Sequence, residues 1–339
     1  MSISGMRMSQ VVTLVMLPLI VLTVSLFIGR YPIAPPLVAK IAVSPLIPLE
    51  RTWEPAMETV LFRVRLPRAL AAMLVGAGLS VAGASFQGMF KNPLVSPQIL
   101  GVSAGAGFGA AMGLLLSESM GTVQALAFFG GMSAVAFTYL ISRIYRTTPI
   151  LMLVLAGIVV GSLFSSLTSL IKYAADPWNK LPAIVFWLLG SFNGISLGDL
   201  LMVGPLILAG TAALLLVRWR INVLSLGEEE AQAMGVNTGQ LRTIIIISAT
   251  VVTAASVCIS GIIGWVGLVI PHIARMVVGP DHRAVLPASC AIGASYLLVV
   301  DNISRSMLST EIPIGILTSL LGAPVFAYLL RRSRTGWSS

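Results

Sequence analysis

Charge is what this sequence has least of. Asp, Glu, Lys and Arg make up 10% of 339 residues, against roughly a quarter in a soluble globular domain. Twelve carboxylates cannot give a water-facing surface to a chain that is 57% hydrophobic, so lipid is the solvent for most of it. Histidine and cysteine are scarce too, at two each. Cys258 and Cys290 lie in apolar stretches without a ligand-spaced partner and read as small buried hydrophobes, not as a disulfide or metal site. The phosphate-cradling GxxxxGK[ST] loop and the HExxH zinc motif are missing, so no catalysis is expected in this chain. His272, in GLVIPHIAR, reads as a helix-end hydrogen-bonding residue and not a metal ligand. The formal charge of +9 comes without basic runs interleaved with aromatics, which argues against a nucleic-acid partner.

What is present is a succession of long apolar runs. At about 20 residues per crossing they give about ten spans, at 11–29, 66–90, 98–116, 121–142, 150–171, 199–217, 243–261, 262–279, 284–300 and 312–330. The expected fold is a single all-α integral membrane domain over 1–339. Val11 to Ile28 has no small-residue cleavage signal after it and reads as a retained first span. Between Thr243 and Ala274 there is no charged residue. One straight helix of that length would run roughly 48 Å against a hydrocarbon core of about 30 Å, so two full crossings barely fit. Gly261, Gly264, Gly267 and Pro271 punctuate the run and predict one full helix and a shortened or broken return. These four residues are gate candidates.

With the N-terminus inside, ten spans leave both termini in the cytoplasm. The loops on that side then hold most of the arginines, among them Arg146, Arg218, Arg242, Arg275 and Arg334, as the positive-inside tendency asks. Arg63, Arg65 and Arg68 run against it, in RVRLPR after an external loop at 30–62; they read either as headgroup anchors or as a docking surface for an acidic external partner. Gly101, Gly105, Gly109 and Gly113 recur every four residues, along one helix face where backbones approach closely. Leu181 to Leu189 is apolar but too short to cross, and predicts a short helix at the outer interface beside Trp178 and Trp187.

No carboxylate falls in the middle of an expected span: Glu118, Asp176, Asp199, Asp281, Asp301 and Glu311 sit at ends or in loops. Carriers driven by protons or sodium usually need such a group near the midplane, so secondary transport is disfavoured. A pore has no ring of like charge to support it. An ATP-independent carrier or channel stays as the alternative of a different class. The acids concentrate instead in SLGEEEAQAMGV, Ser225 to Val236, a helix-forming island on the expected cytoplasmic side.

At this point the motifs resemble a known family. RLPR (65–68), NPLVSPQILGVSAGAG (92–107), LGEEEAQAMG (226–235), GLVIPHIAR (267–275), DHR (281–283) and IPIGILTSLLGAPVF (312–326) are similar, in order, to the FecCD family of ABC importer permeases, the type II importers of ferric siderophores, haem and cobalamin. The resemblance implies a ten-span subunit of the bacterial or archaeal cytoplasmic (inner) membrane, embedded in membrane lipid and forming a homodimer around a pathway. Two cytoplasmic ATPase subunits would carry the ATP and Mg, this subunit binding no cofactor, and a periplasmic or lipid-anchored substrate-binding protein would deliver cargo. It implies a coupling helix region at 225–236, with Gly227, Glu228, Glu229, Glu230, Ala231, Met234 and Gly235 as its residues; Met234 departs from the usual Leu. It also implies that Arg65, Arg68 and Arg305 pair with carboxylates of the binding protein. The cargo expected first is an iron(III) siderophore, with haem, cobalamin and molybdate open.

Overall fold

The computed structural model describes residues 7–143 and 150–333, and among these every regular element is helical. Arg146 and Arg334 lie outside the described residues. Among the described residues seven helices are long and apolar enough to cross a bilayer: α1 (Met8–Phe27), the continuous Pro55–Phe90 helix, α6 (Met120–Ser142), α7 (Ile150–Ala174), α9 (Leu197–Leu216), α12 (Thr238–Ser260) and α14 (His282–Ser306). Shorter apolar helices stand where the other three spans were expected: α5 (Val102–Leu116), α13 (Val266–Val278) and the apolar part, Ile314–Leu329, of α15 (Ile314–Ser333). The remaining elements are α2 (Pro35–Val43), α3 (Pro55–Thr59), α4 (Leu66–Phe90), α8 (Lys180–Leu189), α10 (Arg218–Leu226) and α11 (Glu228–Ala233). The chain is a multi-pass membrane protein.

Helices α4, α12 and α14 are mostly buried and form the centre of the bundle, while α1 and α7 leave most of their apolar side chains on the outside. Small residues let the central helices come together. A methyl group added to Gly76 of α4 would strike the carbonyl of Gly293 on α14, and one added to Gly83 would strike that of Gly267 on α13. Backbone contact of this kind replaces the hydrophobic drive that lipid removes. Along α5, Gly105, Gly109 and Gly113 sit against Gly130, Leu126 and Val123 of α6 in the same way. Gly101 does not belong to that seam. It stands before the first turn of α5 at φ +84° and faces Gly157 and Gly161 of α7, a backbone conformation that a residue with a Cβ rarely adopts.

The long uncharged run resolves as expected into a full helix and a short return. α12 ends at Ser260, the chain is irregular from 261 to 265, and α13 has only 13 residues, about 20 Å at 1.5 Å each. Irregular backbone at this depth must be satisfied by protein, and it is. The Ser191 N–H donates to the carbonyl of Ser260 at 2.8 Å, and Gln98 Nε2 to that of Ile263 at 3.2 Å. Pro271, inside α13, has no N–H for the Gly267 carbonyl four residues earlier; Gln87 Nε2 of α4 donates there instead, at 3.4 Å, and to Leu268 at 3.3 Å.

Two features were not foreseen. The 30–62 segment is a folded cap, with α2, α3 and a small core of Ile33, Val38, Ile41, Trp53 and Leu61. It leads into α4 through a π-helical turn at Val60–Arg65, giving one helix of 36 residues. And α14 runs six residues beyond its expected end, which brings Asp301 and Arg305 inside a spanning helix. The bundle thus has two ends: an α11 end, where α12 and α14 begin, and an α8 end, where both finish.

Candidate functional site

At the α11 end, α9 passes into α10, which stops at Leu226. Gly227, buried with extended backbone, separates it from α11. α11 closes on a Schellman arrangement: the N–H of Gly235 donates to Gln232 and that of Val236 to Ala231, both at 2.9 Å, with Gly235 at φ +78°. Buried Val236 and Ala231 hold this turn against the bundle. Asn237 then caps α12, its side chain accepting from the Gln240 N–H at 3.0 Å.

The three glutamates separate by geometry. Glu228 points back to α12, with Oε2 2.7 Å from a guanidinium nitrogen of Arg242 and Oε1 accepting from the Thr238 hydroxyl at 3.2 Å. Glu229 and Glu230 face solvent, as do Leu226, Ala233 and Met234. The connector therefore presents an acidic and apolar face outward while its inner side is fixed to the first turns of α12. Nearby, Asp281 caps α14 by accepting from the Arg283 N–H at 2.9 Å. Partial burial works against its ionisation, but hydrogen bonds and charge from Arg283 outweigh that and hold the carboxyl below the usual range.

At the α8 end the expected docking arginines are elsewhere engaged. Arg65 donates to the carbonyls of Leu26 at 2.7 Å and Tyr31 at 2.6 Å, pinning the end of α1 to the cap. Arg68 meets Asp301 and Glu311, each at 2.9 Å. Arg305 lies 3.6 Å from Asp301 and donates to the carbonyl and hydroxyl of Ser25 at 2.8 and 2.7 Å. All three are at most 6% exposed. Arg68 and Arg305 meet carboxylates of the same chain, as buried guanidinium groups require, while Arg65 is held by carbonyl oxygens alone. Arg63 is the exposed arginine of the RVRLPR motif. Asp301, in the last turns of α14, is 0% exposed, and two arginines make its burial tolerable. Glu311 ties the segment before α15 to α4, beside a cavity of ≈650 Å³ that Asp199, Trp187 and Gly261 also line.

A family model, the FecCD transport family, matches this chain over residues 15–332. The chain belongs to the FecCD transport family. FecCD relatives include the molybdate import system permease protein MolB of Haemophilus influenzae, 42% identical over 95% of each chain. A probable iron chelatin transport system permease protein of Helicobacter pylori is 40% identical over 82% of this chain and 84% of its own. Among solved structures, an inward-facing conformation of an ABC transporter assigned to the metal-chelate type superposes with a TM-score of 0.86 at 40% identity, covering 96% of this chain and all of that one.

Within this FecCD permease the gate candidates fall into different settings. Gly261 ends α12 at φ +67° against Trp187 and Gly190 of the α8 region, Gly264 has open space around it, Gly267 packs on Leu79 and Pro97, and Pro271 is interior to α13. Sequence reasoning missed Trp265, a bulky residue held at φ +68° with its ring edge-on to Phe326 of α15, 6.1 Å between centroids. A side chain in that conformation next to four glycines and prolines carries no composition signal. The buried polar group of Gln87, Arg275 and His282 was missed for a different reason: its members lie far apart in the chain.

Proposed function

We propose that this permease is one half of a homodimeric ABC importer of a bacterial or archaeal cytoplasmic membrane, with the α11 end in the cytoplasm. Two ATPase subunits, which carry the ATP and Mg, seat on the exposed face of the connector, with Leu226 and Met234 as apolar contacts and Glu229 and Glu230 as acidic ones. Their closure moves α10 and α11 as a lever, and the Glu228–Arg242 pair passes that movement to α12 and so to the break at 261–265. A substrate-binding protein delivers cargo to the α8 end, where Arg63 and the folded cap face outward; Arg65, Arg68 and Arg305 brace the surface from beneath. The single observation that carries this reading is the connector itself: a solvent-facing helix with its inner edge pinned to a spanning helix.

The cargo we infer is a metal-containing solute, an iron(III) chelate in the first reading, consistent with a pathway of few fixed charges. Molybdate is the second reading, favoured by the match over 95% of both chains to a permease named for it. Uptake of radiolabelled iron(III) siderophore against labelled molybdate, each with the cognate binding protein, separates the two. Saturable uptake of neither cargo excludes both.

A further inference from the structure

Beneath the connector lies a cavity of ≈290 Å³ lined by Gln87, Lys91, Asn92, Ser225, Arg275 and His282. Four elements meet there: the end of α4, the end of α13, the start of α14 and the last turn of α10. Its most telling wall is His282. The residue is 92% buried (8% exposed), and neither ring nitrogen has a hydrogen-bond partner among the described residues. A buried imidazole with both nitrogens unpaired is costly, and native proteins rarely keep one without a ligand or water. Gly88 preserves its position, since a methyl group there would come within 2.6 Å of Nε2.

Beside it, Arg275 is only partly accessible, and among the described residues no carboxylate lies within ion-pair distance of it. Its contact is the side-chain oxygen of Gln87, a neutral group that answers its hydrogen-bonding capacity but not its charge. The adjacent acid, Asp281, is held by Arg283 at 2.9 Å. A second cation, Lys91, stands exposed at the rim in a left-handed turn at φ +50°. Two cations without a counter-charge and an unpartnered imidazole around one small cavity lack an anion with several acceptor oxygens.

We propose that this cavity is a binding site for a tetrahedral oxyanion group of the phosphate type, held by Arg275, His282 and Lys91. The His282 N–H and the Arg275 guanidinium donate to different oxygens, and Lys91 closes the mouth. An anion there ties the end of α4, α13 and α14 together, against a wall that Ser225 of α10 completes. That tie is reinforced from below: the Asn222 side chain of α10 accepts from the His282 backbone N–H at 3.1 Å, and the Ser225 hydroxyl donates to the carbonyl of Asn222 at 2.7 Å. The site stands on these contacts and not on the membrane orientation proposed above. Its chemistry suits both a free oxyanion and a phospholipid headgroup.

The test uses the purified transporter, permease with its ATPase, titrated with inorganic phosphate at constant ionic strength, with chloride as control and with 32P-phosphate for direct binding. Saturable binding is expected, with Arg275→Gln weakening it about tenfold or more, the loss of a charge-assisted contact. Lys91→Ala, at the exposed rim where folding is not at stake, should weaken it several-fold. In nanodiscs, competition of phosphatidylglycerol with phosphate assigns the site to a headgroup; indifference to phosphatidylglycerol assigns it to the free ion. Absence of saturable binding overturns the proposal, as does binding that Arg275→Gln and Lys91→Ala leave unchanged. A structure of the complex with an ATPase carboxylate on Arg275 also overturns it.

Discussion

Glu228 and Arg242 are joined at 2.7 Å, so the first residue of α11 is tied to the second turn of α12. The glutamate side chain is 47% exposed and that of Arg242 14%; removing the solvent-facing partner, Glu228, costs about 1 kcal/mol. Its removal should therefore act on coupling and hardly on stability. Glu228→Ala and Arg242→Ala should each lower cargo transported per ATP hydrolysed, the double variant being no worse than either, with the melting temperature of Glu228→Ala nearly unchanged. Additive losses in the double variant would show that the two residues act separately.

Arg68 carries the opposite expectation. Its side chain is 7% exposed and Asp301 is 0% exposed, so Arg68→Ala leaves a buried carboxylate short of its main partner, a loss of about 3–5 kcal/mol by comparison with other broken buried pairs. Glu311→Ala removes a carboxylate with a side-chain exposure of 24% and should cost clearly less. Thermal unfolding of the two detergent-purified variants ranks them. Equal stability would remove the internal role assigned to Arg68.

The central seams predict a contrast between glycines. Gly83→Ala drives a methyl group into the Gly267 carbonyl, whereas Gly264 has no atom within 4 Å of an added Cβ. Neither side of the Gly83 contact can yield without moving a helix, and overpacking of this kind typically costs 1–3 kcal/mol, about as much as marginal folds can lose. Gly83→Ala should fail to accumulate in the membrane as a folded protein, and Gly264→Ala should accumulate normally.

Gly235 tests the connector's closing turn. At φ +78° a side chain is strained by about 1–2 kcal/mol, so Gly235→Ala should loosen the end of α11 and raise ATP hydrolysis uncoupled from transport. Gly239→Ala, inside the first turn of α12, is the matched control and should leave the ratio unchanged.

Much of this was legible in the sequence because lipid imposes simple rules. Span count, the half-length return after Gly261 and the short α8 follow from apolar run length and from Gly and Pro positions. The solvent-facing connector was legible because three consecutive glutamates cannot sit in hydrocarbon. What stayed hidden depends on partners distant in the chain. RVRLPR reads as an exposed basic patch until Asp301 and Glu311, more than 230 residues away, are placed against Arg68. The same pairing let α14 run past its expected end. The 30–62 cap has too weak a periodicity to announce its small core, and the Gln87 bridge to α13 exists only because Pro271 frees a carbonyl.

The direct measurement of the central claim is cargo uptake into proteoliposomes containing this permease, with and without its ATPase, and with ATP supplied or withheld on the α11 side. Uptake of cargo presented by the binding protein should require both ATPase and ATP, and should fall in Glu228→Ala. Uptake by the permease alone, without ATP and driven by an ion gradient, would contradict the account.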